Sequence, residues 1–219
     1  KMPEVRKQVF LVTKSDRRDP AGITELLNRS LERMKTDWID SYFLHGVRST
    51  SELNNDVKQW AEKAKADKKI RFFGFSSHSN MEELLEFAAK CGWIDCVMVK
   101  CDYRLLHTDR MRRAVEACAR AGVGIAAMKT QGGGPVRTDT DEEVKLAGHF
   151  LSKGFTQAQA KLKAVWENDA IATICSQMPN LTLLKENVMA ALDGSKLTAA
   201  DWHALDHYAQ ATASSYCRG

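Results

Sequence analysis

Six short apolar runs, each followed by a stretch suited to a one-faced helix, order this chain from one end to the other. The runs fall at residues 9–12, 39–44, 72–75, 96–100, 125–128 and 171–174. After the first come Ile23, Leu26, Leu27, Leu31 and Met34; after the second, Val57, Trp60, Ala61 and Ala64. The third is followed by Met81, Leu84, Leu85 and Ala88, and the fourth by Met111, Ala114, Val115 and Cys118. The i, i+3, i+4 spacing gives each helix one apolar stripe to lay on a sheet. Further helices are expected near residues 157–166 and from about residue 181 to 192. Strand–helix alternation without hairpin signals predicts a parallel sheet with covered faces. Six βα units fit either an open doubly wound sheet or most of a (β/α)8 barrel.

No linker rich in Pro or Ser divides the chain, and no repeat beyond the βα unit is visible. Residues 1–197 read as one domain. Residues 198–219 read as a C-terminal helix, over 198–216, and a tail. The chain of 219 residues is 44% hydrophobic and 27% charged, enough for a sizeable core. No apolar run approaches the roughly 18 residues of a membrane span. The net charge of +4 is mild, and basic residues alternate with acidic ones on the helices, which predicts solvated faces and no nucleic-acid partner. Most of the six cysteines, Cys91, Cys96, Cys101, Cys118, Cys175 and Cys217, stand in apolar contexts. That favours reduced core thiols in a cytoplasmic protein over disulfides.

Two of the runs end on an ionisable residue. Val9, Phe10, Leu11, Val12 and Thr13 lead to Lys14, and Asp40, Ser41, Tyr42, Phe43 and Leu44 lead to His45. In a parallel α/β barrel, side chains at the carboxyl ends of strands face the active site. An ammonium and an imidazole placed there can polarise and protonate a carbonyl oxygen.

These two motifs resemble the aldo/keto reductase superfamily, whose members are TIM barrels that reduce aldehydes and ketones with NADPH or NADH. The resemblance covers nearly the whole chain and turns the choice of fold to the (β/α)8 barrel, here represented by about six βα units. It implies an oxidoreductase acting on a small-molecule carbonyl, with Lys14 and His45 as catalytic residues from the family's Asp, Tyr, Lys and His tetrad. The Asp and Tyr lie upstream of the Lys strand in the family, so the expectation is that residues before Lys1 supply them. An alternative is a barrel that binds a dinucleotide or a partner without turnover.

The resemblance also implies a nicotinamide site. In the family, Ser and Asn after the third of these strands bind the carboxamide; here Gly74 and Phe75 lead to Ser76 and Ser77, with His78 beyond. Met98 falls where a Gln is common, Cys101 and Asp102 where Tyr-Asn is common, and Met128 where an aromatic ring often stacks. Lys129, Gly132 and Gly133 are expected to meet the pyrophosphate, because glycine lets backbone N–H groups approach an anion. Gln177, Met178, Glu186 and Asn187 resemble the adenine end of the site, with Asn180 as a helix N-cap. Leu183 falls where many NADPH-preferring members carry an Arg, which leaves NADPH and NADH both open.

The ending Tyr216, Cys217, Arg218, Gly219 resembles the start of a ferredoxin-like extension in one branch of the family. One thiolate cannot hold a cluster that needs four, so no iron–sulfur cluster is expected in this chain. An exported protein is the alternative to a cytoplasmic one, since some relatives in that branch carry export signals. No metal site is expected: His45 lacks a second ligand at suitable spacing, and the helical pair His203 and His207 lacks a third.

Overall fold

The computed structural model describes residues 2–106, 108–130 and 141–212. Its strands are β1 (Val12–Ser15), β2 (Ile39–Leu44), β3 (Ile70–Ser77), β4 (Cys96–Lys100), β5 (Gly124–Met128) and β6 (Ile171–Cys175). Its helices are α1 (Met2–Val5), α2 (Pro20–Met34), α3 (Asn55–Ala66), α4 (Met81–Cys91), α5 (Tyr103–Leu106), α6 (Asp109–Arg120), α7 (Asp141–Leu151), α8 (Gln157–Trp166), α9 (Leu181–Leu192) and α10 (Ala199–Ala211). The six strands form one sheet in sequence order, β1 to β6, and among the described residues that sheet is not closed. Pairing from β1 through β4 is parallel, with Lys14 opposite Phe43, Phe43 opposite Gly74 and Ser76 opposite Met98. This is the parallel α/β architecture that the alternation predicts.

The chain divides into two compact units, residues 1–99 with 113–125, and residues 100–112 with 126–219. In the first, local signals set the helix ends. Asp19 caps α2, its carboxylate accepting from Gly22 N–H at 2.7 Å, with Pro20 in the first turn. Asn54 caps α3 by accepting from Val57 N–H. Gly92, at φ +73°, ends α4 in the left-handed conformation that favours glycine. The core of this unit is an aromatic ladder between sheet and helices. Tyr42 lies 5.8 Å from Trp60, Trp60 5.7 Å from Phe73, and Phe73 5.9 Å from Trp93. Burial pushes the Tyr42 phenol up to about 12.

β1 begins later than its apolar run suggests. Residues Arg6–Gln8 form a 3-10 turn, and Arg6 donates to the carbonyls of Val9 and Trp38. Leu11 N–H donates to the Asp40 carboxylate at 2.8 Å rather than to a neighbouring strand carbonyl. The strand is therefore Val12–Ser15 in place of 9–12, and Lys14 lies within it with Ser15 at its end. Gly74 is dictated by sheet geometry: a Cβ there would run into the Cys96 carbonyl oxygen of β4.

The second unit has its own core, including Tyr103, Leu146, Phe150, Ala160, Ala164, Leu205 and Tyr208. Asp201 joins α7 to α10: its carboxylate takes His149 Nε2 at 2.7 Å and Lys153 Nζ at 2.6 Å and closes the capping box with Thr198. Two bridges join α8 to α9. Gln159 Nε2 donates to Glu186 O, and the buried Lys163 donates to the carbonyls of Asp193 and Ser195 at 3.1 and 2.8 Å. The C-terminal helix spans Ala199–Ala211, with Thr198 as its N-cap, rather than 198–216; residues 213–219, Cys217 among them, lie outside the described residues. Cys101 and Cys118 are buried, Cys91 and Cys96 partly so, and Cys175 on β6 is exposed rather than packed in a core. No helix is long and apolar enough to cross a membrane among the described residues.

Candidate active site

Side chains alternate across a strand, so the register fixes which residues share a face. Tyr42 and Phe73 pair and turn toward the helices. Lys14, Phe43 and Gly74 pair on the opposite face, and Ser76 and Met98, two residues further along, continue that face. His45 follows β2 directly, its N–H donating to Ser15 O at 2.8 Å, so the ladder runs one bond past the strand. Gly46 (φ +67°) then turns the chain, and its N–H donates to Ser76 Oγ at 3.1 Å. Lys14 on β1, Ser76 on β3 and Met98 midway along β4 thus share one face of the sheet, and His45 stands in the loop after β2. Ser76 is fully buried and Met98 7% exposed, while Lys14 is half-buried.

Ser77 belongs to the next position along β3. Its Oγ approaches the carbonyls of Val47 at 2.6 Å and Ser79 at 2.7 Å and accepts from Ser79 N–H. A hydroxyl has one proton to give, so this buried group is already engaged in holding the turn after β3. His78 is exposed at that turn.

The loop after β1 is drawn to the end of β2 by Arg18. Its guanidinium donates to His45 O at 2.7 Å, to Glu52 at 2.6 Å and to Asp16 O at 3.3 Å. Glu52 in turn accepts from the N–H groups of Arg48 and Ser49. Burial works against the Glu52 carboxylate, yet these N–H donors and Arg18 hold it below its ordinary range. Asp16, which no sequence pattern singles out, is thereby brought to His45, with Oδ1 2.6 Å from Nδ1.

In the second unit, Met128 ends β5 buried at 7% exposure, and its carbonyl accepts from Cys101 N–H. Lys129 follows in the left-handed region at φ +60° with its side chain exposed. Gly132 and Gly133 lie outside the described residues. After β6, Gln177 and Met178 are exposed. Asn180 caps α9 by accepting from Leu183 N–H, and Asn187 Nδ2 donates to Ser176 Oγ at 3.1 Å, which ties α9 to the loop before it. Glu186 is half-buried. Asp102, after β4, is 2% exposed; burial raises its carboxyl above the ordinary range, against the Leu105 N–H and the charges of Lys100 and Arg104. No group of three or more His, Cys, Asp or Glu side chains able to hold a metal occurs among the described residues.

A βα sheet with Lys14 and His45 at neighbouring strand ends is a pattern that comparison with known proteins can place. The model of the aldo/keto reductase family matches residues 1–184, and the chain belongs to that family. It is 27% identical over 193 residues to the aldo-keto reductase AFTS1 of Alternaria alternata, an alignment covering 85% of this chain and 52% of the relative. It is 34% identical over 84 residues to YqkF, an uncharacterized oxidoreductase of Bacillus subtilis (strain 168), covering 33% of this chain and 27% of the relative. The chain thus spans about half the length of the first of these curated relatives. Among solved structures, the holo form of aldo-keto reductase AKR11C1 from Bacillus halodurans superposes with a TM-score of 0.74 at 20% identity, over 94% of this chain and 75% of that one. An aldo/keto reductase from Klebsiella pneumoniae in complex with NADP and acetate gives a TM-score of 0.73 at 18% identity, over 94% of this chain and 72% of that one. These likenesses establish the TIM-barrel type of fold.

Proposed function

We propose that this chain is an oxidoreductase of the aldo/keto reductase type, or a large part of one, which reduces an aldehyde or ketone with NADPH or NADH. The observation that carries the reading is the family match over residues 1–184, with Lys14 and His45 at the carboxyl ends of adjacent parallel strands. When bound, the reduced nicotinamide would supply the hydride. The Lys14 ammonium and His45 imidazole would polarise the carbonyl oxygen and stabilise the charge that develops on it.

The residues present suit such a cofactor. The nearly buried Met98 of the first unit offers a thioether suited to packing on a flat ring, and Met128 of the second unit offers another. Ser76 offers a hydroxyl for the carboxamide, with Ser77 supporting its turn. The exposed Lys129 suits a phosphate, and the glycines that follow suit its backbone contacts. Gln177, Met178, Glu186 and Asn187 would line the adenine end. The NADP complex of the Klebsiella pneumoniae relative supports a nicotinamide nucleotide over other cofactors.

The buried thiols of Cys101 and Cys118 suit a reducing compartment, and we place the protein in the cytoplasm on that ground. Basic helix residues paired with acids one turn away, such as Lys63 with Asp67 at 3.0 Å, support the absence of a nucleic-acid partner.

The test is a titration of NADPH and NADH, followed by quenching of the five tryptophans, and then a carbonyl-dependent loss of NAD(P)H absorbance. Saturable binding with turnover of an aldehyde or ketone is the expected result. Binding without turnover would support instead a barrel that holds a dinucleotide and performs no chemistry, a reading that Met98 in place of a carboxamide-binding Gln favours. No binding of either nucleotide would overturn the proposal.

A further inference from the structure

Four basic side chains are buried among the described residues: Arg6, Lys100, Lys161 and Lys163. Three of them have visible reasons to be there. Arg6 meets Asp40 at 2.9 Å and donates to the carbonyls of Val9 and Trp38. Lys163 donates to the carbonyls of Asp193 and Ser195. Lys161 holds its ammonium 4.8 Å from the centroid of the Tyr208 ring. Lys100 is as deeply buried, at 5% exposure, and makes neither a hydrogen bond nor an ion pair among the described residues. An ammonium taken out of water is costly unless an anion or an acceptor replaces the water.

Lys100 closes β4, and alternation along that strand puts it on the face of Met98. The carboxyl ends of parallel strands are where an α/β barrel holds its ligands. Asp102, two residues on, feels the Lys100 charge without forming an ion pair with it, and burial of Asp102 favours its neutral acid. Arg104 is engaged elsewhere, donating to Ala209 O and Thr212 Oγ1 at 2.7 Å each. Lys100 thus brings a positive charge and three N–H donors to the end of β4.

We propose that Lys100 is a specificity-determining residue: its ammonium receives the carboxylate of an anionic carbonyl substrate, an oxo acid. The inference rests on the reductase reading above and deepens it by naming the substrate class. On that reading Met98 meets the nicotinamide ring, and Lys129 with the glycines after it meets the phosphates. The anionic group left for Lys100 is then one that the substrate carries. A charge-assisted hydrogen bond to a carboxylate replaces the water that the ammonium has lost. No proton moves and no bond breaks at Lys100, so its effect falls on binding.

The experiment measures the binding of benzoate, of its uncharged counterpart benzamide and of NADPH to the 219-residue chain by calorimetry. Lys100→Met and Lys100→Gln remove the charge, and Lys100→Arg keeps it. The expected result is that the wild type binds benzoate more tightly than benzamide. The Met and Gln variants should lose about 10-fold or more in benzoate affinity, the scale of a hydrogen bond to a charged group, and Lys100→Arg should keep the preference. In turnover, the ratio of kcat/KM for 4-formylbenzoate to that for benzaldehyde should fall by a similar factor in the Met and Gln variants, through KM. No benzoate binding to the wild type, or equal affinity in all four proteins, overturns the site. Loss of the preference in Lys100→Arg as well marks a packing role and also overturns it. A fall in NADPH affinity with benzoate affinity intact assigns Lys100 to a nucleotide phosphate and overturns the substrate assignment. Benzoate binding through Lys100 in a protein that reduces neither aldehyde overturns the reductase reading and leaves the carboxylate site standing.

Discussion

The Asp40 carboxylate lies 2.9 Å from the Arg6 guanidinium, and the two side chains are 2% and 7% exposed. Arg71 reaches the other carboxylate oxygen at 2.6 Å, and Leu11 N–H completes the set. Arg6 also lies flat on Trp38, 3.4 Å from the ring centroid. Asp40 opens the segment that ends in His45, yet its partners place it at the amino end of β2, where it fastens residues 6–11 to the sheet.

Asp40→Ala should therefore act on stability and spare nucleotide binding. Removing one member of a buried pair leaves the other charge uncompensated and costs about 3–5 kcal/mol. The sign with pH follows from direction. Burial pushes the Asp40 carboxyl up, but Leu11 N–H, Arg71 and Arg6 outweigh it and hold it below its ordinary value. Asp201 is likewise held low: Lys153, Thr198 and His149 outweigh its burial. Both groups contribute stability fully above the pKa of the unfolded carboxylate, about 3.9, and lose it as pH falls through the folded values. Urea unfolding at a series of pH values should show a steep loss below about pH 4, and a smaller one in Asp40→Ala.

Gly74→Ala should destabilise the protein by at least about 1–3 kcal/mol, the range for forcing extra atoms into a packed interior. The obstacle is a backbone carbonyl, that of Cys96, so no side-chain rotation relieves it. Thermal unfolding of the variant measures the cost. An unchanged midpoint would mean that β3 and β4 sit further apart than the register implies.

Met98→Gln should loosen the free protein and tighten its hold on a nicotinamide nucleotide. Met98 is 7% exposed, and an unsatisfied amide there costs about 1–3 kcal/mol. A carboxamide that reaches it would regain about 0.5–1.5 kcal/mol, or roughly 2-fold to 12-fold in affinity. Tryptophan quenching of wild type and variant, alongside their denaturation curves, would register both changes.

Thiol labelling should separate the cysteines by exposure. Cys175 is exposed and should react at once with a thiol reagent. Cys101 and Cys118 are fully buried, and burial pushes their thiols up to about 12 and about 11. The thiolate is the reactive form, so these two should label only on unfolding. Peptide mass spectrometry of a timed reaction distinguishes the sites.

Much of the fold is legible in the sequence because its signals are local. β2, β4, α8 and α9 have the bounds that their apolar runs, stripes and caps predict. β1 is displaced because the side chains of Arg6 and Asp40 satisfy the preceding backbone, and that contact is not local. α7 carries no clear stripe: Leu146 and Phe150 are buried, but Val144 and Leu151 are 65% and 62% exposed. β6 reads as a buried run, yet Ala172 and Thr173 face solvent.

For the candidate site, Lys14 and His45 stand out because each closes an apolar run. Asp16 stands among Arg17, Arg18 and Asp19, where four charges in a row read as an ordinary solvated turn. Its partner is 29 positions away, and only the clamp made by Arg18 brings the two together.

Lys163 has a consequence for how the second unit opens. The side-chain amine of one helix serves as the carbonyl cap of the next, and Gln159 grips that helix midway along. α9 cannot fray from its C-terminal end without stranding a buried cation on α8. The two helices therefore come loose together or not at all, as a single cooperative step rather than two independent ones.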